Sequence, residues 1–132
     1  MTQSNVEIVR AAVRSFVEQD VVAARELFWP DVVMAPPDGW PDGRPEHGRE
    51  AVLQQFARLG EDWQDNALTI EEVATEGDAV AVRLHWRTTG GASAVPVEMS
   101  LSGVYFVRDG RVAEMRFFRE HDAALDAAGI RR

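Results

Sequence analysis

The sequence predicts an α+β fold, with N-terminal helices packed against one face of a curved antiparallel sheet. Three observations predict it. Apolar residues recur at helical spacing in the first half of the chain, apolar and polar residues alternate in the second half, and short glycine-containing turns join the alternating runs. Helices followed by antiparallel strands are typical of this class. At 132 residues, the chain is expected to form a single domain over residues 1–132.

The first two helices are signalled by their N-caps. Ser4 and Glu7 form a capping box, which predicts a first helix running to about Gln19. Asp20 can cap a second, shorter helix, which ends near Trp29 because a proline follows. The apolar face of the first helix is expected to comprise Val6, Val9, Val13, Phe16 and Val17.

A long loop is predicted between the second and third helices. Residues 31–35 form a short edge strand that ends at two prolines, and residues 36–47 follow as a loop holding Trp40. Trp40 either closes over a ligand as a lid or packs the loop onto the surface. The third helix is predicted over residues 48–59, with Gly60 as its stop.

The second half of the chain reads as a meander of antiparallel strands followed by a last helical turn or two. Asp122 caps this final segment, and Gly129 ends it. The strands are predicted over residues 67–75, 79–88, 95–108 and 111–119.

Composition excludes several functional classes. Fourteen basic against twenty-two acidic residues give a net charge of −8, which disfavours nucleic acid as a partner. The chain has no cysteine, and its three histidines are scattered, so we expect no metal site. No apolar run approaches the roughly 20 residues of a membrane span, and the first residues do not resemble a signal peptide. We therefore expect a cytoplasmic protein that does not bind membranes.

The strand over residues 79–88 has a clear inner and outer face. Val80, Val82, Leu84 and Trp86 alternate with alanines, arginines and His85. The apolar set is expected to face the protein interior. His85 then lies outside with two arginines, as a solvated or interface residue.

The last two strands form a hairpin around Asp109-Gly110, a pair typical of a two-residue type I′ turn. That turn would pair Ser100 with Arg119, and it would place six side chains on one inward face: Glu98, Ser100, Ser102, Met115, Phe117 and Arg119. Polar groups on a buried face suggest a ligand cavity. An apolar patch would then lie outside and suit a dimer interface, comprising Val97, Met99, Leu101, Tyr105 and Phe118. A three-residue turn with a bulge would reverse the faces and send Met99 and Leu101 inside.

Three segments resemble a known family: Phe28-Trp-Pro-Asp-Val-Val-Met, His47-Gly-Arg-Glu-Ala-Val and Val107-Arg-Asp-Gly-Arg-Val. Together with the order of elements, they resemble the SnoaL-like proteins of the superfamily that contains nuclear transport factor 2 and the ketosteroid isomerases. The resemblance covers nearly the whole chain. It implies a cone-shaped fold with a deep apolar pocket between the first helix and the concave sheet face, usually in a homodimer made through the sheets.

The resemblance also limits the chemistry. The catalytic tyrosine, general-base aspartate and protonated aspartate of the ketosteroid isomerases fall on Phe16, Ala35 and Ser100, none of which supplies the same group. Steroid isomerisation by that mechanism is therefore not expected. The aspartate-arginine-aspartate set of the related limonene epoxide hydrolase has no counterpart either, because Arg83 falls on the outer face without an inward carboxylate beside it.

Three function hypotheses remain, none of which needs a cofactor. The first is an isomerase, cyclase, hydratase or hydrolase in which Glu98, Arg119 and Ser100 transfer a proton; the alternative for Glu98 and Arg119 is a salt bridge without chemistry. The second is a protein that binds a small apolar organic ligand, and the third is a dimeric interaction module. Residues expected to contact the ligand are Phe16, Trp40, Val82, Leu84, Trp86, Ser102, Met115 and Phe117.

Overall fold

A computed structural model describes residues 4–39, 43–90 and 95–130. These residues form four helices and six strands. None of the described helices has the length and apolar character that a membrane span requires. In chain order the elements are α1 (Asn5–Val17), α2 (Val21–Leu27), β1 (Phe28–Ala35), β2 (Glu46–His47), α3 (Arg49–Asp62), β3 (Trp63–Glu76), β4 (Ala79–Gly90), β5 (Val95–Arg108), β6 (Arg111–Phe118) and α4 (His121–Ala127).

The strands form one mixed sheet in the order β2-β1-β6-β5-β4-β3. The predicted meander from β3 to β6 is antiparallel throughout, as expected. β1 pairs in parallel with β6, and the two-residue β2, inside the predicted loop, pairs antiparallel with β1. The α+β class is therefore confirmed, with a mixed sheet in place of a purely antiparallel one.

The caps of α1 and α2 are those the sequence predicts. Ser4 Oγ accepts a hydrogen bond from the backbone N–H of Glu7 at 3.2 Å, and Asp20 Oδ1 accepts one from Ala23 at 3.1 Å. α2 ends at Leu27, two residues before the predicted end, because β1 already begins at Phe28. The proline in β1 is tolerated because pairing with β6 is interrupted between Phe28 and Val33.

α3 continues through Gly60, which the sequence predicted as its stop. A Cβ atom at this position would lie 2.6 Å from side-chain atoms of Gln19. The glycine therefore leaves room for the Gln19 side chain, which follows α1, and it does not terminate the helix.

The sheet separates two clusters of buried side chains. The larger one fills the space between α1, α2, α3 and the inner face, and includes Ile8, Phe28 and Val82. The smaller one lies under α4 on the opposite, outer face, and includes Val104 and Leu125. The last helix therefore packs on the face away from the other three, whereas all helices were expected on one face.

The hairpin between β5 and β6 has the predicted turn but not the predicted register. Asp109 and Gly110 both have positive φ, at 48° and 80°, and the residues flanking them pair with each other. Val107 pairs with Val112, but Phe106 pairs with Glu114, so Ala113 is an extra residue in β6. This bulge shifts all later pairs by one residue. It exchanges the two faces of β5 relative to β6.

The predicted apolar dimer patch is wrong as a consequence. Leu101 and Tyr105 lie in the wall of a cavity on the inner face, and Phe118 packs beside the cluster under α4. Between β3, β4 and β5, the outer face carries contacts between charged or ionisable side chains: Glu72 with Arg83, Glu98 with His85, and Glu98 with Arg87. Dimer formation stays a prediction, without the patch that was to mediate it.

A chain of hydrogen bonds links α4 to the outer face of the sheet. Ser102 Oγ lies 2.9 Å from His121 Nδ1, and His121 Nε2 lies 3.3 Å from Glu72 Oε2. Both links are satisfied when a neutral imidazole accepts from Ser102 and donates to Glu72. Because Ser102 is only 2% exposed, the loss of this partner would leave a buried hydroxyl unsatisfied.

We expect His121→Ala to lower the free energy of unfolding by about 1–3 kcal/mol, the cost of a buried polar group left without a partner. Amide hydrogen exchange in α4 should also accelerate. The matched control is His85→Ala, which removes another outer-face histidine beside a carboxylate. Since the His85 side chain is 36% exposed, the control should change stability by less than about 0.5 kcal/mol. Equal effects of the two substitutions would contradict the assignment of His121 as the anchor of α4.

Candidate functional site

A cavity of about 100 Å³ lies between α1, α3 and the inner face of the sheet. Three groups of residues build its wall: one face of α1, the second half of α3, and inward side chains of β1 and β3–β6 with the segment after β1. Its lining residues are Ala12, Val13, Phe16, Phe28, Met34, Pro36, Pro37, Gln55, Phe56, Leu59, Leu68, Leu84, Trp86, Leu101, Tyr105, Met115 and Phe117.

Aromatic rings hold one another in place around this cavity. Phe56 of α3 meets Phe16 and Phe28 edge to face, with centroids 5.2 Å and 5.8 Å apart. Across the cavity, Tyr105 and Phe117 form another edge-to-face pair at 6.0 Å and 87°. Such pairs are more favourable than area burial alone suggests, so the wall has a defined shape.

The cavity wall is almost wholly apolar. Gln55, Tyr105 and Trp86 are the lining residues that carry a side-chain nitrogen or oxygen, and none of the described lining residues carries a carboxylate or a basic group. Burial raises the pKa of the Tyr105 phenol above its usual value of about 10. Tyr105 therefore stays protonated and can donate a hydrogen bond at neutral pH.

Five of the predicted ligand-contacting residues lie in this wall: Phe16, Leu84, Trp86, Met115 and Phe117. Their role in ligand binding stays a prediction. Val82 faces the same side of β4 but lies in the core, 0% exposed, away from the cavity. Trp40, the predicted lid, lies outside the described residues.

The predicted catalytic group of Glu98, Ser100 and Arg119 does not face the cavity. Glu98 lies on the outer face, with its Oε1 2.9 Å from His85 Nε2 and 3.6 Å from Arg87 Nη2. Arg119 donates from Nε to the backbone oxygen of Asp38 at 3.2 Å. The predicted placement of Glu98 and Ser100 in the cavity was wrong because the Ala113 bulge reverses the faces of β5 relative to β6, and Arg119 follows the end of β6 at Phe118. The catalytic roles themselves stay predictions.

Ser100 and Ser102 belong to the outer face as well. They line a polar depression there, together with Arg83, Arg119 and His121. The chain from Ser102 through His121 to Glu72 has the residue types of a nucleophilic triad. However, Ser102 lies in the middle of β5 and is 2% exposed, so we assign the chain to holding α4. Within the described part of the chain, no cluster of three or more His, Cys, Asp or Glu residues could hold a metal ion.

Two polar members of the cavity wall, Gln55 and Tyr105, were not predicted from the sequence. Gln55 lies one helical turn after Val52 and one before Leu59, so helical spacing alone places it on the inner side of α3. Tyr105 was assigned to the outer face by the uninterrupted hairpin register. Only the alternative hairpin, with a bulge that reverses the faces, would have placed Tyr105 on the inner face.

Comparison with known proteins decides the family. Among curated proteins, none matches the chain. The family model of the SnoaL-like domain matches residues 9–115. The chain belongs to the SnoaL-like family. This agrees with the resemblance carried by the three sequence segments and with the helices and open sheet of the fold.

Solved structures with this fold include proteins of several descriptions. One is IdmH from Streptomyces antibioticus, proposed to be a polyketide cyclase, with 25% identity, coverage of 97% of this chain and 100% of IdmH, and a TM-score of 0.77. Another is a protein of ketosteroid isomerase-like fold from Catenulispora acidiphila DSM 44928, in complex with trimethylamine; it has 18% identity, coverage of 99% and 96%, and a TM-score of 0.77. A third is an NTF2-like protein of unknown function from Burkholderia pseudomallei K96243, with 19% identity, coverage of 96% and 98%, and a TM-score of 0.79. The likeness to the latter two concerns the fold alone.

Proposed function

We propose that this SnoaL-like chain binds a small, neutral, largely apolar organic molecule in the cavity between α1, α3 and the inner sheet face. The observation that carries the proposal is the lining, in which all residues except Gln55, Tyr105 and Trp86 have hydrocarbon or thioether side chains. A concave apolar surface with a few polar groups is the usual form of a small-molecule site. A charged ligand would lose its hydration there without gaining a partner of opposite charge.

Binding is favoured over proton transfer by a carboxylate. A general base must reach the proton that it removes, and the described cavity wall contains no carboxylate or histidine. The interaction module is less favoured, because α4 and contacts between polar and charged side chains occupy much of the outer face. The likeness to IdmH supports a cyclase as the second candidate. Such a reaction would require an acid such as Tyr105 instead of Glu98.

A cavity-filling substitution tests the proposal. Ala12 lies in the wall and is 3% exposed, so the three added carbons of Ala12→Leu would occupy much of the cavity. With fluorobenzene as a neutral ring probe followed by ¹⁹F NMR, we expect the wild type to bind and Ala12→Leu to bind at least about tenfold more weakly.

The matched control is Ala57→Leu, the same change at an exposed position of α3, which should leave probe affinity unchanged within about twofold. Thermal unfolding of each variant reports whether the fold is retained. Probe affinity that is equal in Ala12→Leu and Ala57→Leu, or no binding to the wild type, would contradict the proposed site. A retained small molecule, sought by native mass spectrometry of protein from its own host, would identify the ligand.

A further inference from the structure

Tyr105 has a hydroxyl without a hydrogen-bond partner among the described residues. The residue is 5% exposed and lines the cavity, and its hydroxyl forms no hydrogen bond to any residue in the described ranges 4–39, 43–90 and 95–130. Buried tyrosine hydroxyls normally find a partner, because an unsatisfied one costs about 1–3 kcal/mol. Because Tyr105 lines the cavity, a molecule in the cavity can supply that partner.

The ring that carries this hydroxyl is held by its neighbours. Phe117 meets it edge to face, and both rings pass close to the backbone of Gly103. A Cβ atom at Gly103 would lie 3.0 Å from Phe117 Cε1 and 3.3 Å from Tyr105 Cε1. The glycine thus makes room for the two rings. A fixed ring presents its hydroxyl in one place, as a positioned hydrogen-bond donor does.

We propose that Tyr105 donates a hydrogen bond to a carbonyl oxygen of the ligand, so that the cavity selects neutral cyclic or aromatic carbonyl compounds over hydrocarbons and carboxylates of similar size. This inference rests on the proposed function and adds the ligand class. A protonated phenol can donate to a carbonyl, and the raised pKa of Tyr105 keeps it protonated. A carboxylate is disfavoured because no described lining residue is basic. Gln55, in the α3 part of the wall, supplies a second polar group for the ligand.

Three probes of matched shape separate the possibilities: 4-fluoroacetophenone, 4-fluorotoluene and 4-fluorobenzoate, each followed by ¹⁹F NMR. We expect Tyr105→Phe to weaken the binding of 4-fluoroacetophenone by about five- to tenfold, the usual contribution of one hydrogen bond to affinity. The binding of 4-fluorotoluene should weaken by less than about twofold. The benzoate should bind more weakly than the ketone to the wild type. The thermal unfolding temperature should not fall in Tyr105→Phe, since the lost hydroxyl has no partner among the described residues.

Spectroscopy distinguishes a direct hydrogen bond from a structural effect. The carbonyl stretch of bound ketone should lie at lower frequency in the wild type than in Tyr105→Phe. The chain contains one tyrosine, so a ¹³Cζ-tyrosine label gives a single resonance, which should shift with the ketone more than with the toluene.

The outcomes separate this inference from the proposed function. If fluorobenzene and 4-fluorotoluene bind in the cavity but Tyr105→Phe weakens the binding of 4-fluoroacetophenone and 4-fluorotoluene equally, the carbonyl assignment is overturned and the ligand site stands. An unchanged ketone affinity, as expected if ordered water satisfies the hydroxyl, overturns it as well. If none of the neutral probes binds to the wild type, both proposals fail.

Discussion

Leu101→Asp should destabilise the protein strongly, whereas Ser100→Asp one residue earlier should be tolerated. Leu101 is half-buried and lines the apolar cavity, so the change removes partly buried hydrocarbon and places a carboxylate at a wall in which no described residue is basic. We expect a loss of about 2–4 kcal/mol in the free energy of unfolding. Ser100 is exposed on the outer face and shares a polar depression with Arg83, so the control should cost less than about 1 kcal/mol.

Chemical denaturation of the two variants measures this difference. Leu101→Asp should also abolish binding of fluorobenzene, while Ser100→Asp should retain it. The uninterrupted hairpin register places Ser100 inward and Leu101 outward. In that register Ser100→Asp would be the more destabilising of the two substitutions. A damaging Ser100→Asp beside a mild Leu101→Asp would therefore overturn the bulged register at Ala113.

Phe28→Ala should destabilise the protein strongly, because it truncates a fully buried aromatic side chain. Phe28 is 0% exposed, begins β1 and meets Phe56 edge to face at 5.8 Å. Truncation of a fully buried phenylalanine costs about 3–5 kcal/mol. Because Phe28 also lines the cavity, the variant should have a larger cavity and should gain affinity for two-ring probes such as naphthalene relative to fluorobenzene.

Phe118→Ala is the matched control for this change. Phe118 is half-buried on the outer face, where Arg116 lies 5.5 Å from its ring centroid. Its truncation should cost less and should not alter the ratio of naphthalene to fluorobenzene affinity. Urea denaturation gives the stabilities, and probe titration gives the ratio. A loss below about 1 kcal/mol for Phe28→Ala would contradict its place in the core.

Sequence patterns correctly predicted those features that are stabilised by contacts between residues close together in the chain. The capping box at Ser4 and the Asp20 cap are satisfied within one turn of helix, and the alternation through Leu84 and Trp86 reflects a strand with one apolar side. The turn at Asp109-Gly110 was also correct, because positive φ at both positions favours this pair of residues.

The errors in the predicted helix and strand boundaries arose where residues contact segments that are distant in the sequence. Gly60 resembles a helix stop in sequence, but α3 continues through it, and the side chain of Gln19, two residues after the end of α1, packs against it. β1 starts early because it pairs with β6, more than eighty residues later in the chain. In both cases the contacting residue lies far away in the sequence, so the neighbours of Gly60 and Phe28 in the chain give no sign of it.

The prediction of the candidate site depended on one such error, in the register between β5 and β6. The extra residue Ala113 has no distinctive sequence signal, yet it decides whether Glu98 or Tyr105 faces the cavity. The apolar wall positions in α1 and β4 do not depend on the register between β5 and β6, so Phe16, Leu84 and Trp86 were placed correctly. The polar residues of β5 were all sensitive to it, and the predicted chemistry changed with them.

A crystal structure of the protein soaked with 4-fluoroacetophenone tests the central claim most directly, because it reports the hairpin register and the ligand position together. We expect ligand density between α1, α3 and the inner sheet face, with the carbonyl oxygen within hydrogen-bond distance of the Tyr105 hydroxyl and Glu98 beside His85 on the outer face. Density only on the outer face, or Glu98 directed into the cavity with Tyr105 outside, would contradict it.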